Sequence, residues 1–157
     1  MATFREIKNR EGDLSALQSF LENAGDSLNT FRYFSKRDLS VIGGHVLTVL
    51  SMEDGVPVGY GHLDPENDVV WLGICVSQNA AGKGHGKAMM SYLVDFARNR
   101  NISEIYLKVD ADNSRAVSLY HKFGFEDVEH APGRFYIMRR MVQDTDRVES
   151  EALRDHG

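Results

Sequence analysis

The chain has 157 residues, a net charge of −5 and 42% hydrophobic residues, which fits one globular domain with a well-formed core. We expect a single domain over residues 1–142, followed by a polar tail or helix over residues 143–157. The negative charge gives no electrostatic support for a nucleic-acid partner. The longest apolar run is far shorter than the ~20 residues that a membrane span needs, so no membrane partner is expected either.

The single cysteine and the N-terminal residues indicate the cellular compartment in which we expect the protein to work. Cys75 is the only cysteine, which excludes an internal disulfide. The first residues mix acidic and basic side chains and lack the apolar core of a signal peptide. A reduced, cytoplasmic setting is therefore expected. The six histidines show no close ligand pairing, so no metal site is expected.

Apolar periodicity in the first half of the chain predicts one strand, one helix and then an antiparallel meander. Asp13 resembles an N-cap for the helix, and Gly25 would end it. Gly55 supplies the positive φ that a tight hairpin turn needs. The last strand is nearly all apolar, which predicts burial on both faces. The predicted strands are residues 3–8, 45–52, 56–63 and 68–76; the helix is 14–24, the turns are 53–55 and 64–67, and 26–44 is a short helix plus loop.

The second half of the chain predicts two helices and three strands. The order strand, helix, strand from residue 69 to residue 109 implies a right-handed parallel crossover. The fold class is therefore α+β, with a mixed, mostly antiparallel central sheet flanked by helices. The helix over 86–99 buries Met89, Leu93, Phe96 and Ala97; the next, capped by Asp112, Asn113 or Ser114, buries Ala116, Leu119, Tyr120 and Phe123; the strands are 105–109, 125–129 and 134–141.

A glycine-rich loop joins the predicted strand 68–76 to the helix over 86–99. Three glycines at alternate positions lie beside lysines, which is typical of a phosphate-binding turn at a helix N-terminus. A Walker A loop is excluded, because Ala81 replaces its first glycine and Ala88 replaces its Ser or Thr. A Rossmann fingerprint is weakened, because G-x-G-x-G is one residue too short, although Asp110 ends the next strand as that fingerprint requires. A glycine turn without a ligand is the remaining alternative.

A second motif decides between these alternatives. The chain carries V-x(5)-G-x-G-x-G over residues 76–86 and N-x-x-A-x-x-L-Y-x-K-x-G-F over residues 113–125. Together, at this separation, they resemble the GNAT superfamily of acetyl-CoA-dependent N-acetyltransferases. The resemblance covers residues 56–141 well, and it implies the GNAT fold with acetyl-CoA as cosubstrate. One departure is Ala81, where the family usually has Arg or Gln; because backbone N–H groups hold most of the pyrophosphate in that family, this change should weaken the loop without abolishing it.

The resemblance also assigns roles around the cofactor. Tyr120 matches the usual general acid for the leaving thiolate, although its place on the apolar stripe also fits a core tyrosine. Asn113 matches a family position that hydrogen-bonds the cofactor arm, and it could cap the helix at the same time. The general base is a water molecule or His62. The alternative interpretation of His62 is a surface histidine at a strand end. Asp64, Glu66 and Asp68 are further candidates for the base. The cofactor-binding set is Ile74, Cys75, Val76, Ala81, Gly82, Lys83, Gly84, His85, Gly86, Lys87, Asn113 and Tyr120, with Cys75 expected as an inert buried thiol.

The acceptor side is assigned by the same analogy. Aromatic and cationic side chains in one segment suit a planar or anionic acceptor, and a plain amphipathic turn is the alternative. These considerations predict an N-acetyltransferase that moves acetyl from acetyl-CoA to a primary amine of a small molecule such as an amino sugar or amino acid. The alternatives are a protein or peptide N-acetyltransferase, a CoA-binding sensor without turnover, and a dinucleotide-binding domain. The sequence leaves the oligomeric state open and allows a homodimer. The predicted acceptor residues are Phe31, Arg32, Tyr33, Phe34 and Arg134, with His130 and Tyr136 on the same hairpin as Arg134.

Overall fold

The computed structural model describes residues 2–142, which divide into two compact units at the Leu93–Val94 bond. The first unit contains an antiparallel sheet in the order β1-β2-β3-β4. The single-domain boundary stays a prediction, and the proposed tail over residues 143–157 lies outside the described residues. The elements of the first unit are β1 (Thr3–Glu6), α1 (Glu11–Asn23), β2 (Leu47–Glu53), β3 (Val56–Glu66), β4 (Val69–Val76) and the start of α2 (His85–Asn99).

Helices cover both faces of this four-stranded sheet. Residues directly opposite one another across strands share a face, so Leu50, Tyr60 and Cys75 lie together, and α1 packs on them through Leu17 and Phe20. The opposite face meets α2, where a Cβ on Gly61 would lie 2.6 Å from the sulfur of Met89. Tyr60 is fully buried, so the centre of the sheet is the core of this unit.

The β3–β4 turn lies later than the sequence predicts. Asn67 and Asp68 have φ values of 54° and 64°, so these two residues make the turn, as in a type I′ hairpin. Pro65 is instead part of β3, opposite Val70. The predicted turn at 64–67 was wrong because proline was taken as a turn signal, whereas its fixed φ is also compatible with an extended strand end. Asp64 consequently lies within a strand, paired with Trp71.

The start of α1 also differs from the prediction. Arg10 is the N-cap residue, and it makes no side-chain capping bond. Asp13 lies inside the helix, where one carboxylate oxygen accepts the Lys8 N–H at 2.8 Å and the other accepts from Arg5 at 2.8 Å. Burial, the largest single influence, acts to raise the pKa of Asp13. The two hydrogen bonds and the contact with Arg10 favour the charged carboxylate, and together they hold that pKa below its usual value. Asp13 therefore ties the β1–α1 loop to the helix instead of capping it.

The second unit has an antiparallel sheet in the order β5-β7-β6. Asn113 is the N-cap of the helix in this unit, as predicted, and its side-chain oxygen accepts the Ala116 N–H. The predicted buried stripe on that helix was wrong, because none of its residues is buried and Tyr120 is only half-buried. The elements are the end of α2, β5 (Glu104–Asp110), α3 (Ser114–Lys122), β6 (Glu126–Ala131) and β7 (Phe135–Met141).

Candidate active site

The glycine loop presents a row of backbone N–H groups at the start of α2. Gly82 and Gly84 have φ values of 81° and 86°, which only glycine adopts without strain. Within residues 2–142, the six N–H groups from residue 82 to residue 87 donate to no other protein group, and the first helical bond runs from Ala88 to the Gly84 carbonyl. Lys83 and Lys87 are exposed beside them. This arrangement of donors, helix dipole and cations suits a pyrophosphate.

His85 differs from its neighbours in the loop. Its side chain is buried, and Nε2 lies 2.9 Å from the Glu53 carboxylate on β2, although without the alignment of a hydrogen bond. The imidazole therefore points into the protein, and only the main-chain N–H of His85 is presented with the loop. Of the predicted loop residues, this is the one whose side chain is turned away from solvent.

The predicted thioester-binding strand is less buried than its apolar sequence suggests. Leu72 and Cys75, on opposite faces of β4, are buried, whereas Ile74 and Val76 are partly exposed, so the predicted burial on both faces holds only in part. Burial raises the pKa of the Cys75 thiol to about 12, so it remains protonated at neutral pH. A protonated, buried thiol is a poor nucleophile, as expected for an inert cysteine.

The predicted acceptor segment packs onto the face of the sheet that carries α1. The Phe31 and Phe34 rings lie 5.3 and 5.6 Å from the Tyr60 ring, and the Tyr33 ring lies 4.4 Å from the His62 ring. Arg32 is exposed, and its guanidinium donates to the Asn29 carbonyl. The three aromatic side chains are therefore partly buried, and the segment is an aromatic cover over β3 rather than a solvated turn.

His62 is buried, which overturns the alternative of a surface histidine. It is 3% exposed, and its Nδ1 lies 2.6 Å from the Tyr60 hydroxyl. Burial, followed by the positive charges that His45 and Arg37 can carry, lowers the pKa of His62 well below its usual value. His62 is therefore neutral at neutral pH, and in this conformation Tyr33 covers it.

A hydrogen-bonded chain beside His62 was not found from the sequence. The Tyr33 hydroxyl donates to Asp64 Oδ2 at 2.8 Å and lies 2.7 Å from His45 Nε2, while His45 Nδ1 lies 2.7 Å from Thr48 Oγ1. Burial lowers the pKa of His45, and burial with the Asp64 bond raises the pKa of Tyr33. The alternation of side chains along the two predicted strands was the available sequence signal. It becomes useful only once the β2–β3 register, in which Thr48 lies opposite His62, is known.

The second unit holds the remaining predicted residues. Asn113 caps α3, Tyr120 lies on the same helix with its ring 6.1 Å from Phe125, and Arg134 is exposed in the β6–β7 turn. An open concavity of about 570 Å³ lies in this unit, and of the predicted residues it includes Tyr136. Its lining is Ala111, Ser114, Val117, Ser118, His121, Lys122 and Tyr136.

Within residues 2–142, no three His, Cys, Asp or Glu side chains are grouped closely enough to hold a metal ion. In the same described part of the chain, every helix is too short or too polar to cross a bilayer.

Comparison with known families identifies the loop and the α3 motif. The model of the Acetyltransferase (GNAT) family matches residues 15–125, which include both. The chain belongs to the GNAT acetyltransferase family. It is 46% identical over 50 residues to a mycothiol acetyltransferase of Renibacterium salmoninarum, covering 32% of this chain and 15% of that protein. It is 32% identical over 101 residues to an uncharacterized N-acetyltransferase of Bacillus subtilis, covering 64% of this chain and 34% of that protein. The chain thus spans about a third or less of these relatives.

Solved structures confirm the fold class. The ribosomal-protein-S18-alanine N-acetyltransferase of Escherichia coli matches with a TM-score of 0.72 and 21% identity, covering 92% of this chain and 96% of that one. An N-acetyltransferase of Thermoplasma acidophilum, solved in complex with coenzyme A, matches with a TM-score of 0.72 and 19% identity, covering 90% and 99%. The α+β fold with a mixed, mostly antiparallel sheet is therefore that of GNAT acetyltransferases.

Proposed function

We propose that this GNAT-family chain transfers the acetyl group of acetyl-CoA to a primary amine of a small molecule. The observation that carries the proposal is the row of N–H groups from residue 82 to residue 87, which donate to no other group among the described residues and lie within the region that the family model matches. Pyrophosphate oxygens would satisfy these donors, and Lys83 and Lys87 would offset the phosphate charge. Ala81 contributes no side-chain donor, so the backbone must supply most of the binding.

The acetyl group would lie along β4. Main-chain groups of Ile74, Cys75 and Val76 would bind the pantetheine arm, and one N–H would polarise the acetyl carbonyl as the amine attacks. The amine nitrogen forms a bond to the carbonyl carbon, and the tetrahedral intermediate then expels the CoA thiolate. Tyr120 would protonate that thiolate. Its side chain is only half-buried, which suits this role better than a fully buried core position would. Asn113 would bond the cofactor arm while capping α3.

The acceptor must lose a proton during attack. A water molecule is the immediate base in this proposal, because His62 is covered by Tyr33 and bonded to Tyr60. His62 could act directly only after the Tyr33 ring moves away. Arg134 and the aromatic cover at Phe31, Tyr33 and Phe34 would bound the acceptor.

The proposal is tested by ligand-dependent stabilisation followed by turnover. Acetyl-CoA at about 100 times its Kd should stabilise the protein by about 2.7 kcal/mol, measured as a rise in Tm, whereas NAD should not. A rise with NAD and none with any CoA species would refute the proposal and favour a dinucleotide-binding domain. Release of free CoA thiol is then measured with amino acids, amino sugars, diamines and peptides. Binding of acetyl-CoA without transfer to any acceptor would favour a sensor module, and transfer to peptides alone would favour a protein N-acetyltransferase.

A further inference from the structure

Asp64 is a largely buried carboxylate with an incomplete set of partners. Its side chain is 18% exposed, and Oδ2 accepts from Tyr33 at 2.8 Å. Among the described residues, the one basic side chain within ion-pair distance is His45, at 3.9 Å, and burial lowers the pKa of that imidazole so that it is neutral at neutral pH. A carboxylate removed from water without a cation is costly. Within the described part of the chain, Asp64 therefore lacks a positive charge at ion-pair distance.

The direction of the hydrogen bonds shows what Asp64 can do. A carboxylate only accepts, so the single Tyr33 proton must point to Asp64, and the Tyr33 oxygen must then accept from His45 Nε2–H. His45 Nδ1 consequently accepts from the Thr48 hydroxyl. Every proton in this chain points toward Asp64, so the chain holds the carboxylate in place and cannot carry a proton away from it. Asp64 is built as an anchor for a positive charge.

No other cation within residues 2–142 forms an ion pair with Asp64. The Arg37 guanidinium stacks on the Tyr33 ring at 4.2 Å and donates to the Tyr33 carbonyl at 2.8 Å. Glu66, two residues along β3, adds a second negative charge nearby. The described residues around Asp64 thus leave its carboxylate open to a cation supplied by a ligand.

The strand register gives the spacing between this anchor and the proposed thioester. Asp64 pairs with Trp71, and Cys75 lies four residues further along the same strand. At the rise of a β-strand, four residues span about 13 Å. A ligand reaching from the Asp64 carboxylate to the acetyl carbonyl therefore needs two nitrogen atoms separated by on the order of 10 Å. Trp71 lies on the same face of the sheet, directly opposite Asp64.

We propose that Asp64, positioned by Tyr33 and His45, is a specificity residue that binds a second cationic group of the acceptor, so that the acceptor is a long diamine or a related polycation. This proposal rests on the N-acetyltransferase function proposed above. The amine that is acetylated lies at β4, and the distal ammonium, which keeps its charge through the reaction, bonds to Asp64 Oδ1. Because that ammonium is bound equally before and during transfer, Asp64 should act mainly on KM.

The test compares matched amines on matched variants. With 1,8-diaminooctane and octylamine, we expect wild type to favour the diamine about tenfold in kcat/KM, mostly through KM, because a bond between charged groups replaces an unbalanced carboxylate. Asp64→Asn keeps the acceptor oxygen for Tyr33 but removes the charge, and it should abolish this preference. Asp54→Asn removes one charge from the exposed β2–β3 turn and should keep the preference.

A second measurement does not depend on turnover. Titration calorimetry of 1,8-diaminooctane into the CoA-saturated protein should give a Kd about tenfold weaker for Asp64→Asn than for wild type and Asp54→Asn. Equal affinities would refute the role of Asp64, even if amines are acetylated. Charge-dependent diamine binding without acetylation of any amine would instead refute the proposed function and retain the Asp64 anchor. A preference for 1,3-diaminopropane over the longer diamine would refute the spacing.

Discussion

Gly73 on β4 should not tolerate even a methyl group, because the His62 ring rests on it. A Cβ at this position would lie 2.5, 2.6 and 3.2 Å from three ring atoms of His62, whereas ordinary contact begins near 3.4 Å. The ring would have to move by about 0.9 Å, which the Tyr33 ring at 4.4 Å and the His45 ring at 4.7 Å oppose. The same movement would stretch the 2.6 Å bond between His62 and the Tyr60 hydroxyl.

The size of the effect follows from these contacts. Overpacking of this kind costs about 1–3 kcal/mol, and weakening a buried hydrogen bond costs about 1 kcal/mol more. Replacing glycine by alanine within a strand returns about 0.5–1 kcal/mol. We therefore expect Gly73→Ala to lower the free energy of unfolding by about 2 kcal/mol, which corresponds to a fall in Tm of about 6 °C for a domain of this size.

The assay is urea and thermal unfolding followed by circular dichroism. Gly12→Ala is the matched control, because a Cβ at that exposed position meets no atom within 4 Å, and its stability should be unchanged or slightly higher. If Gly73→Ala is as stable as wild type, the His62 ring does not rest on β4, and the packing that places Asp64 and Tyr33 on this face would have to be revised.

Three further predictions concern the acid, the loop and the buried histidines. Tyr120→Phe should lower kcat about 100-fold, measured by CoA release, with little change in the Kd for acetyl-CoA; an unchanged rate would leave Tyr120 a packing residue. Gly84→Ala forces a non-glycine residue to φ 86° in open space and should weaken acetyl-CoA binding about tenfold in calorimetry, whereas Gly44→Ala should not. Because burial lowers the pKa of His62 in the folded state, its contribution to stability is complete above its unfolded pKa of about 6.5 and is lost as the pH falls below it. Between about pH 7.5 and pH 5.5, the free energy of unfolding measured in urea should fall by about 1.4 kcal/mol. His62→Gln should reduce this fall, whereas His130→Gln, at an exposed site, should not. Equal falls in all three proteins would contradict this.

Features that depend on a few neighbouring residues could be predicted from the sequence. Gly55 has a positive φ in the turn where it was expected, and Asn113, one of the three candidate caps, caps the helix that follows it. Gly82 and Gly84 likewise adopt the conformation that a phosphate loop needs. In each case the backbone geometry restricts the residue type directly, so the local pattern is sufficient.

Features that depend on distant neighbours could not be predicted in this way. Asp13 looked like a helix cap, but Arg5 and Lys8 from the preceding strand and loop compete for its carboxylate. The sequence left His62 open between a catalytic base and a surface histidine, because nothing local shows that Tyr33, from a segment about thirty residues earlier, covers it. His45 was not singled out as a site residue, since its partners Tyr33 and Asp64 come together only once β2 and β3 pair in register.

The pairing of Trp71 with Asp64 gives the protein a built-in optical reporter. Trp71 is the only tryptophan in the chain, so all indole emission comes from the strand position opposite the proposed anchor. Changes in the intensity or wavelength of that emission will therefore report on one place, without a label and without subtraction of other fluorophores of the same kind. Acceptor screening can begin with a fluorimeter, before any assay of turnover has been established.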